Sequence, residues 1–160
     1  MQKKMCSYIK RMSEFISILL MLLACCIIIV FYKDIHGQVP LHYNIYGEAD
    51  VYSRKWTIFI VPILMIITYI ALSILQRKPH IFNYPIQVTD ENRDKLYEIG
   101  VEMVVVFKLL VTLMFSVLST SNILNAVNKN GYISVWPIIS IILVWFVVFI
   151  YYIYKMYAHK

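Results

Sequence analysis

Residues 39–55 read Val39-Pro40-Leu41-His42-Tyr43-Asn44-Ile45-Tyr46-Gly47-Glu48-Ala49-Asp50-Val51-Tyr52-Ser53-Arg54-Lys55, and this polar stretch interrupts a chain that is otherwise strongly apolar. Val39, Leu41, Tyr43 and Ile45 alternate with Pro40, His42 and Asn44, and a period of two predicts extended backbone with one apolar and one polar face. Gly47 can adopt the positive φ a turn needs. The stretch therefore reads as an extended segment or loose hairpin joining whatever lies on either side.

What lies on either side is membrane-spanning sequence. The chain has 160 residues, of which 61% are hydrophobic and 15% charged, against about 45–50% and 25% in soluble domains. Apolar runs fall at 15–32, 56–75, 99–118 and 134–154. Each is near the ~20 residues needed to cross a bilayer core of about 30 Å. Too little chain remains to bury four such helices in a soluble shell. The expected fold class is an all-α integral membrane protein with four transmembrane helices and a short extended loop after the first. One four-helix domain fills residues 1–160, with helices at about 15–32, 56–75, 90–120 and 134–157.

The basic start followed by an apolar run resembles a secretory signal, and Leu22-Leu23-Ala24-Cys25 resembles a lipoprotein cleavage site. The run continues as Cys26-Ile27-Ile28-Ile29, so an uncleaved anchor helix is expected. Lys3, Lys4, Lys10, Arg11, Arg77, Lys78, Arg93, Lys95, Lys155 and Lys160 fall on one side, against Lys33, Arg54, Lys55 and Lys129 on the other. Ten cations against four place both termini in the cytoplasm and the 33–55 loop outside. The net charge of +6 then reflects topology and anionic lipid, not nucleic acid. Cys6, Cys25 and Cys26 give no disulfide framework, leaving packing, a free thiol or lipidation of Cys6.

Local signals set further expectations. Pro62 should bend the second helix. Thr89 before Asp90 and Glu91 marks an N-cap, so the third helix should start near Asp90, with a Glu91–Lys95 pair. Asn128-Lys129-Asn130-Gly131 is a turn, Ser134 an N-cap, and Pro137 a first-turn proline. Tyr151, Tyr152, Tyr154 and Tyr157 suit a headgroup belt. No small-residue packing motif stands out.

Lys108, Thr112, Ser116 and Ser119 are spaced by four, four and three residues, forming one polar stripe on the third helix. A charge inside a membrane helix costs about 2.5–3.5 kcal/mol at its centre. Lys108 must therefore find a partner or crevice within the bundle, or snorkel to the cytoplasmic surface, and snorkelling is the simpler expectation. Glu102 lies on another face of the same helix. His36, His42, Glu48 and Asp50 are metal-ligand types on one side of the membrane, but no ligand spacing is recognisable, so neither metal nor cofactor is expected.

The 39–55 stretch resembles the bacterial membrane family called domain of unknown function 1648. Its pattern is Val-Pro (Val39-Pro40), His-aromatic-Asn (His42-Tyr43-Asn44), then Gly47, Asp50, an aromatic and Lys55, after the first helix. Phe82-Asn83-Tyr84-Pro85-Ile86-Gln87-Val88-Thr89-Asp90-Glu91-Asn92, with Tyr97, is similar to related members. The resemblance runs from about 15 to 120 and departs at Ile35-His36-Gly37, where members show Leu-Pro-acid. It implies a multi-pass protein of the bacterial inner membrane. It also points toward the sporulation-delay toxin immunity proteins, hence toward sensing or immunity.

Three function classes follow. In the first, a non-enzymatic protein binds a peptide or protein partner through residues 33–55. His42, Asn44, Gly47, Asp50 and Lys55 then shape the loop, while Asn83, Pro85, Thr89, Asn92 and Tyr97 order the cytoplasmic side. The second is a small transporter or permeation accessory using the Lys108 stripe, and the third a membrane-embedded metal-dependent enzyme using His42, Glu48 and Asp50. Oligomeric state is not encoded in any motif.

Overall fold

The computed structural model describes residues 2–159, with side chains from Ser7 to His159. The side chains of Lys3, Lys4 and Cys6 and the whole of Lys160, invoked above, lie outside what is described. Four helices make up the body of the molecule. They are α1 (Gln2–Phe31), α2 (Ile60–Leu75), α3 (Arg93–Asn128) and α4 (Trp136–Tyr157). Each is long and apolar enough to cross a membrane, the second together with the 3₁₀ turn Lys55–Phe59 that leads into it. Between α1 and α2 stand two short strands, β1 (Val39–Tyr43) and β2 (Ala49–Ser53), paired antiparallel.

Helix α3 is the hub. It packs against α1, α2 and α4, whereas α4 rests on α3 and α1 touches α2 only lightly. The hairpin and the 129–135 connection share one end of the bundle, and residues 76–92 lie at the other. Two apolar clusters hold these ends. Ile28, Ile35, Val39, Ile58, Ile123 and Ala126 pack at the hairpin end. Leu96, Ile99, Tyr152 and Met156 pack at the opposite end.

Several boundaries differ from the expectations, each for a physical reason. The first helix begins at Gln2 rather than near 15, because the basic and polar N-terminal residues carry no helix breaker. Pro62 is the third residue of α2, where an amide has no intrahelical partner, so it starts the helix instead of bending it. α3 begins at Arg93, not Asp90. Residues 90–92 form a turn in which Asn92 Oδ1 accepts from the Thr89 N–H (2.8 Å) and the Asn92 N–H reaches back toward Thr89 Oγ1 (3.4 Å). This reciprocal arrangement resembles a capping box, moved one turn upstream of the regular helix. Lys95 pairs with Glu98 (3.0 Å) rather than Glu91, one turn deeper.

At its far end α3 runs on to Asn128, past the expected 120, and stops when Lys129 turns left-handed at φ 55°. Ser134 does not cap α4: the helix starts at Trp136 after Val135, with Pro137 in its first turn as anticipated. Tyr151, Tyr154 and Tyr157 are exposed, as a headgroup belt requires, but Tyr152 is buried against Leu96 and Ile99.

The hairpin is more irregular than simple alternation implies. Pro40 pairs with Tyr52, His42 with Val51 and Tyr43 with Ala49, so Leu41 and Asp50 are left unopposed on either strand. Such bulges break the two-residue period. Val39 and Pro40 are buried, whereas Leu41 and Ile45 turn outward. The expected continuous apolar face therefore exists only at its first residues.

Candidate functional site

The turn of the hairpin is built by Asn44. Its Oδ1 accepts from the N–H groups of Tyr46 (2.9 Å) and Glu48 (3.0 Å), while its Nδ2 donates to Glu48 Oε2 (2.9 Å). A side chain that mimics a backbone turn in this way fixes the loop. Gly47 sits at φ 87°, and a Cβ there would strike the Ile133 carbonyl and crowd Tyr132 and Val135 at 3.2 Å. The reason is a third strand-like segment. Ala49 N–H donates to Gly131 O (2.7 Å) and Ile133 N–H to Gly47 O (2.8 Å), so the 131–133 connection docks onto the turn.

Tyr43 ties the hairpin to the bundle. Its hydroxyl donates to Asn122 Oδ1 (3.0 Å) and accepts from Asn125 Nδ2 (3.1 Å), and Asn125 Oδ1 accepts the Gly131 N–H (2.8 Å). Burial pushes the Tyr43 phenol up to about 12, partly offset by the Asn125 bond, so it is neutral at ordinary pH. A small cavity of about 210 Å³ is lined by Asn125 together with His36, Gln38, Pro40, Tyr52 and Gly131 among others.

Against these internal ties stands an outward group. His42 Nδ1 and Asp50 Oδ1 are 2.6 Å apart, and both side chains are open to solvent. The register set by Val39–Ser53, Pro40–Tyr52 and Tyr43–Ala49 puts Asp50 across the ladder from His42, and the local irregularity at His42–Val51 does not separate them. Around the pair Leu41, Ile45, Tyr46, Val51 and Tyr52 are exposed. Lys55 lies 4.3 Å from the Tyr32 ring centroid and so anchors the entry to α2 by a cation–π contact. Of the five hairpin residues singled out from sequence, Asn44, Gly47 and Lys55 shape the loop, and only His42 and Asp50 form a solvent-facing pair. Among the described residues no three His, Cys, Asp or Glu side chains gather closely enough to hold a metal ion.

Lys108 does not snorkel into solvent. Its side chain is 1% exposed and its ammonium donates to Glu14 (2.5 Å), Gln76 (2.9 Å) and Ser73 (3.0 Å). The Tyr69 ring lies 4.7 Å away, and the Tyr69 hydroxyl donates to the other oxygen of Glu14 (2.6 Å). Gln76 Nε2 donates to Glu14 as well (3.2 Å). One lysine thus joins α1, α2 and α3. The snorkelling expectation fails because the long stem reaches the end of α2, where acceptors stand before water does.

The rest of the stripe is packing. Thr112 and Ser116 hydroxyls donate to carbonyls four residues earlier on α3, at 2.8 Å each. Ser119 and, on α1, Ser13, Ser17 and Ala24 are buried with them. In lipid, close helix contact is made by such small residues. This seam supplies the small-residue interface that no sequence motif announced.

At the opposite end, Thr89 and Asn92 form the cap described above, with Asn92 Nδ2 also donating to Gln87 O (3.2 Å). Tyr97 stacks on Tyr84 at 5.8 Å between centroids, and Tyr84 donates to Pro79 O (3.0 Å). Burial raises the Tyr84 phenol to about 12. Asn83 and Pro85 instead line a groove toward α4. Gly100, absent from the sequence candidates, is what lets this clamp close: a Cβ there would lie 2.9 Å from Phe82 and Tyr84.

Residues 19–66 match the family model described as Domain of unknown function (DUF1648). The match spans less than a third of the chain. The matched segment holds the second half of α1, the whole hairpin and the start of α2, so the DUF1648 match contains His42, Asn44, Gly47, Asp50 and Lys55. It stops short of the 82–97 clamp and of Lys108. No curated protein and no solved structure matches the chain.

Proposed function

We propose that this is a non-enzymatic recognition protein of the bacterial cytoplasmic membrane, and that its hairpin, on the outer side, binds a peptide or protein partner. The distribution of basic residues favours that orientation, with both termini inside. The observation that carries the reading is the contrast within the hairpin. Its polar atoms are largely spent on internal ties, yet Ile45 is 82% and Tyr46 69% exposed at the tip, next to the solvent-facing His42–Asp50 pair. Apolar and aromatic side chains held out on a fixed frame, with one polar pair to orient a ligand, are the usual make-up of a binding hot spot. A sensing or immunity role is consistent with this arrangement and is the specific form of the proposal.

Site-specific photo-crosslinking in native membranes tests it. A photoreactive residue at Tyr46 should give a protein adduct of discrete mass, and none should form at Val147, which is 67% exposed on the lipid-facing side of α4. H42A and D50A should each remove the adduct without lowering membrane abundance. Lipid adducts alone at Tyr46, or an adduct indifferent to both substitutions, would overturn the proposal.

A further inference from the structure

We infer that a groove between α2 and α4, opening at the end of the bundle opposite the hairpin, is a binding site for one anionic phospholipid. Both helices pack on α3 rather than closely on each other. The space left between them has a volume of about 510 Å³, within the roughly 300–1,000 Å³ of ligand sites. Leu75 of α2, Phe82 and Tyr84 of the connection, Val104 of α3, and Phe149 and Ile153 of α4 line it. From Met156 near the mouth to Phe149 the apolar wall runs roughly 10 Å along α4, which suits an acyl chain.

The mouth is basic. Arg77, Lys78 and His80 are exposed and fall in the chain between the lining residues Leu75 and Ile81. None of the three is ion-paired among the described residues. No acid occurs from Gln76 to Thr89. The carboxylate nearest in sequence to the groove's floor, Glu102 beside Met103, is met by Lys155 at 2.6 Å. An apolar slot in the bilayer with unpaired cations at its rim fits a lipid that carries its negative charge in the headgroup. A zwitterionic lipid fills the slot equally well but gains nothing from the rim.

Native mass spectrometry of the purified full chain, titrated with dioleoyl phosphatidylglycerol and dioleoyl phosphatidylcholine, reads both parts of the site. Two basic side chains beside an anionic headgroup give roughly a 30-fold preference for phosphatidylglycerol. The double variant R77Q/K78Q changes only exposed residues and should bring the two lipids to equal affinity. I153W, filling the slot, should lower binding of both, and its helical content by circular dichroism checks that it is folded. Glycerol phosphate without acyl chains should not compete. Equal affinity in the wild type, a preference that survives R77Q/K78Q, or competition by glycerol phosphate would each overturn the inference.

Discussion

Removing the charge from Glu14 should harm this protein more than removing Lys108 itself. In E14Q the Lys108 ammonium stays at 1% exposure, held by Ser73 and Gln76 oxygens and the Tyr69 ring but without a counter-charge. Stranding one member of a buried ion pair costs about 3–5 kcal/mol. In K108M the stranded member is Glu14, whose side chain is 29% exposed and keeps donors from Tyr69 (2.6 Å) and Gln76 (3.2 Å). Partial solvation and two remaining hydrogen bonds reduce that penalty to about 1–3 kcal/mol. The double variant E14Q/K108M carries no charge at the site, so the single penalties should fail to add by roughly 1–3 kcal/mol. Reversible denaturant unfolding in detergent micelles, followed by helical circular dichroism, gives all four corners of the cycle. A K108M penalty equal to or above that of E14Q would refute the assignment of Lys108 as the fully desolvated partner. Additivity within about 0.5 kcal/mol would show that the two charges do not act on one another.

Two further outcomes separate backbone strain from contact at the hairpin. G37A and G47A both force a side chain onto a positive φ, 97° and 87°, but only at Gly47 does the added carbon meet the Ile133 carbonyl. G37A should cost about 1–2 kcal/mol, and G47A should in addition accelerate amide hydrogen exchange at Ala49 and Ile133, whose bonds join the turn to the 131–133 connection; equal exchange in the two variants would remove the clash argument. The Tyr43 phenol, raised from 10.0 to about 12, is protonated in the folded state while the unfolded chain ionises, so its contribution is complete below pH 10 and lost as pH rises to about 12. Y43F should flatten that alkaline decline relative to wild type, Tyr84 retaining its own share in the same window; an unchanged pH profile would contradict the burial of Tyr43.

The membrane spans were legible because length and apolarity are one-dimensional properties, and a bilayer demands little else of them. The glycine turn was legible too, since Gly47 in a polar gap between two spans has few other uses. Pairings were not. Glu14 is separated from Lys108 by 94 positions, and nothing in local spacing connects them. A weaker signal was present: a buried lysine requires an acid, and Glu14 stands at the edge of an apolar run. The stripe Lys108, Thr112, Ser116, Ser119 also extends by one more three-residue step to Asn122, which points to the hairpin through Tyr43. The bulges at Leu41 and Asp50 were illegible because alternation describes a regular strand, and register shifts depend on the partner strand. In sequence Gly100 is only a glycine within a helical run. Its value lies in Phe82 and Tyr84, which reach it across the connection.

Helix α3 carries polar anchors near its hairpin end and at its middle, and this sets which parts of the bundle are fixed. In lipid the apolar surfaces gain little from contact with each other, so register comes from close packing and polar bonds. At the hairpin end Asn122 and Asn125 hold Tyr43; at the middle Lys108 holds Glu14, Ser73 and Gln76. α1, α2 and the hairpin are therefore tied to α3 by several bonds, and sliding any one of them would strand a buried polar group. α4 is tied differently. It meets α3 through the Lys155–Glu102 pair and through aromatic contacts of Phe107 with Trp145 and Phe149, at 5.4 and 6.2 Å. Aromatic contacts tolerate small displacements that a directed hydrogen bond does not. The groove lies where α4, keyed to α3 by the Lys155–Glu102 bond and by packing, faces α2, so a lipid lodged there would supply contacts that the chain itself leaves unmade.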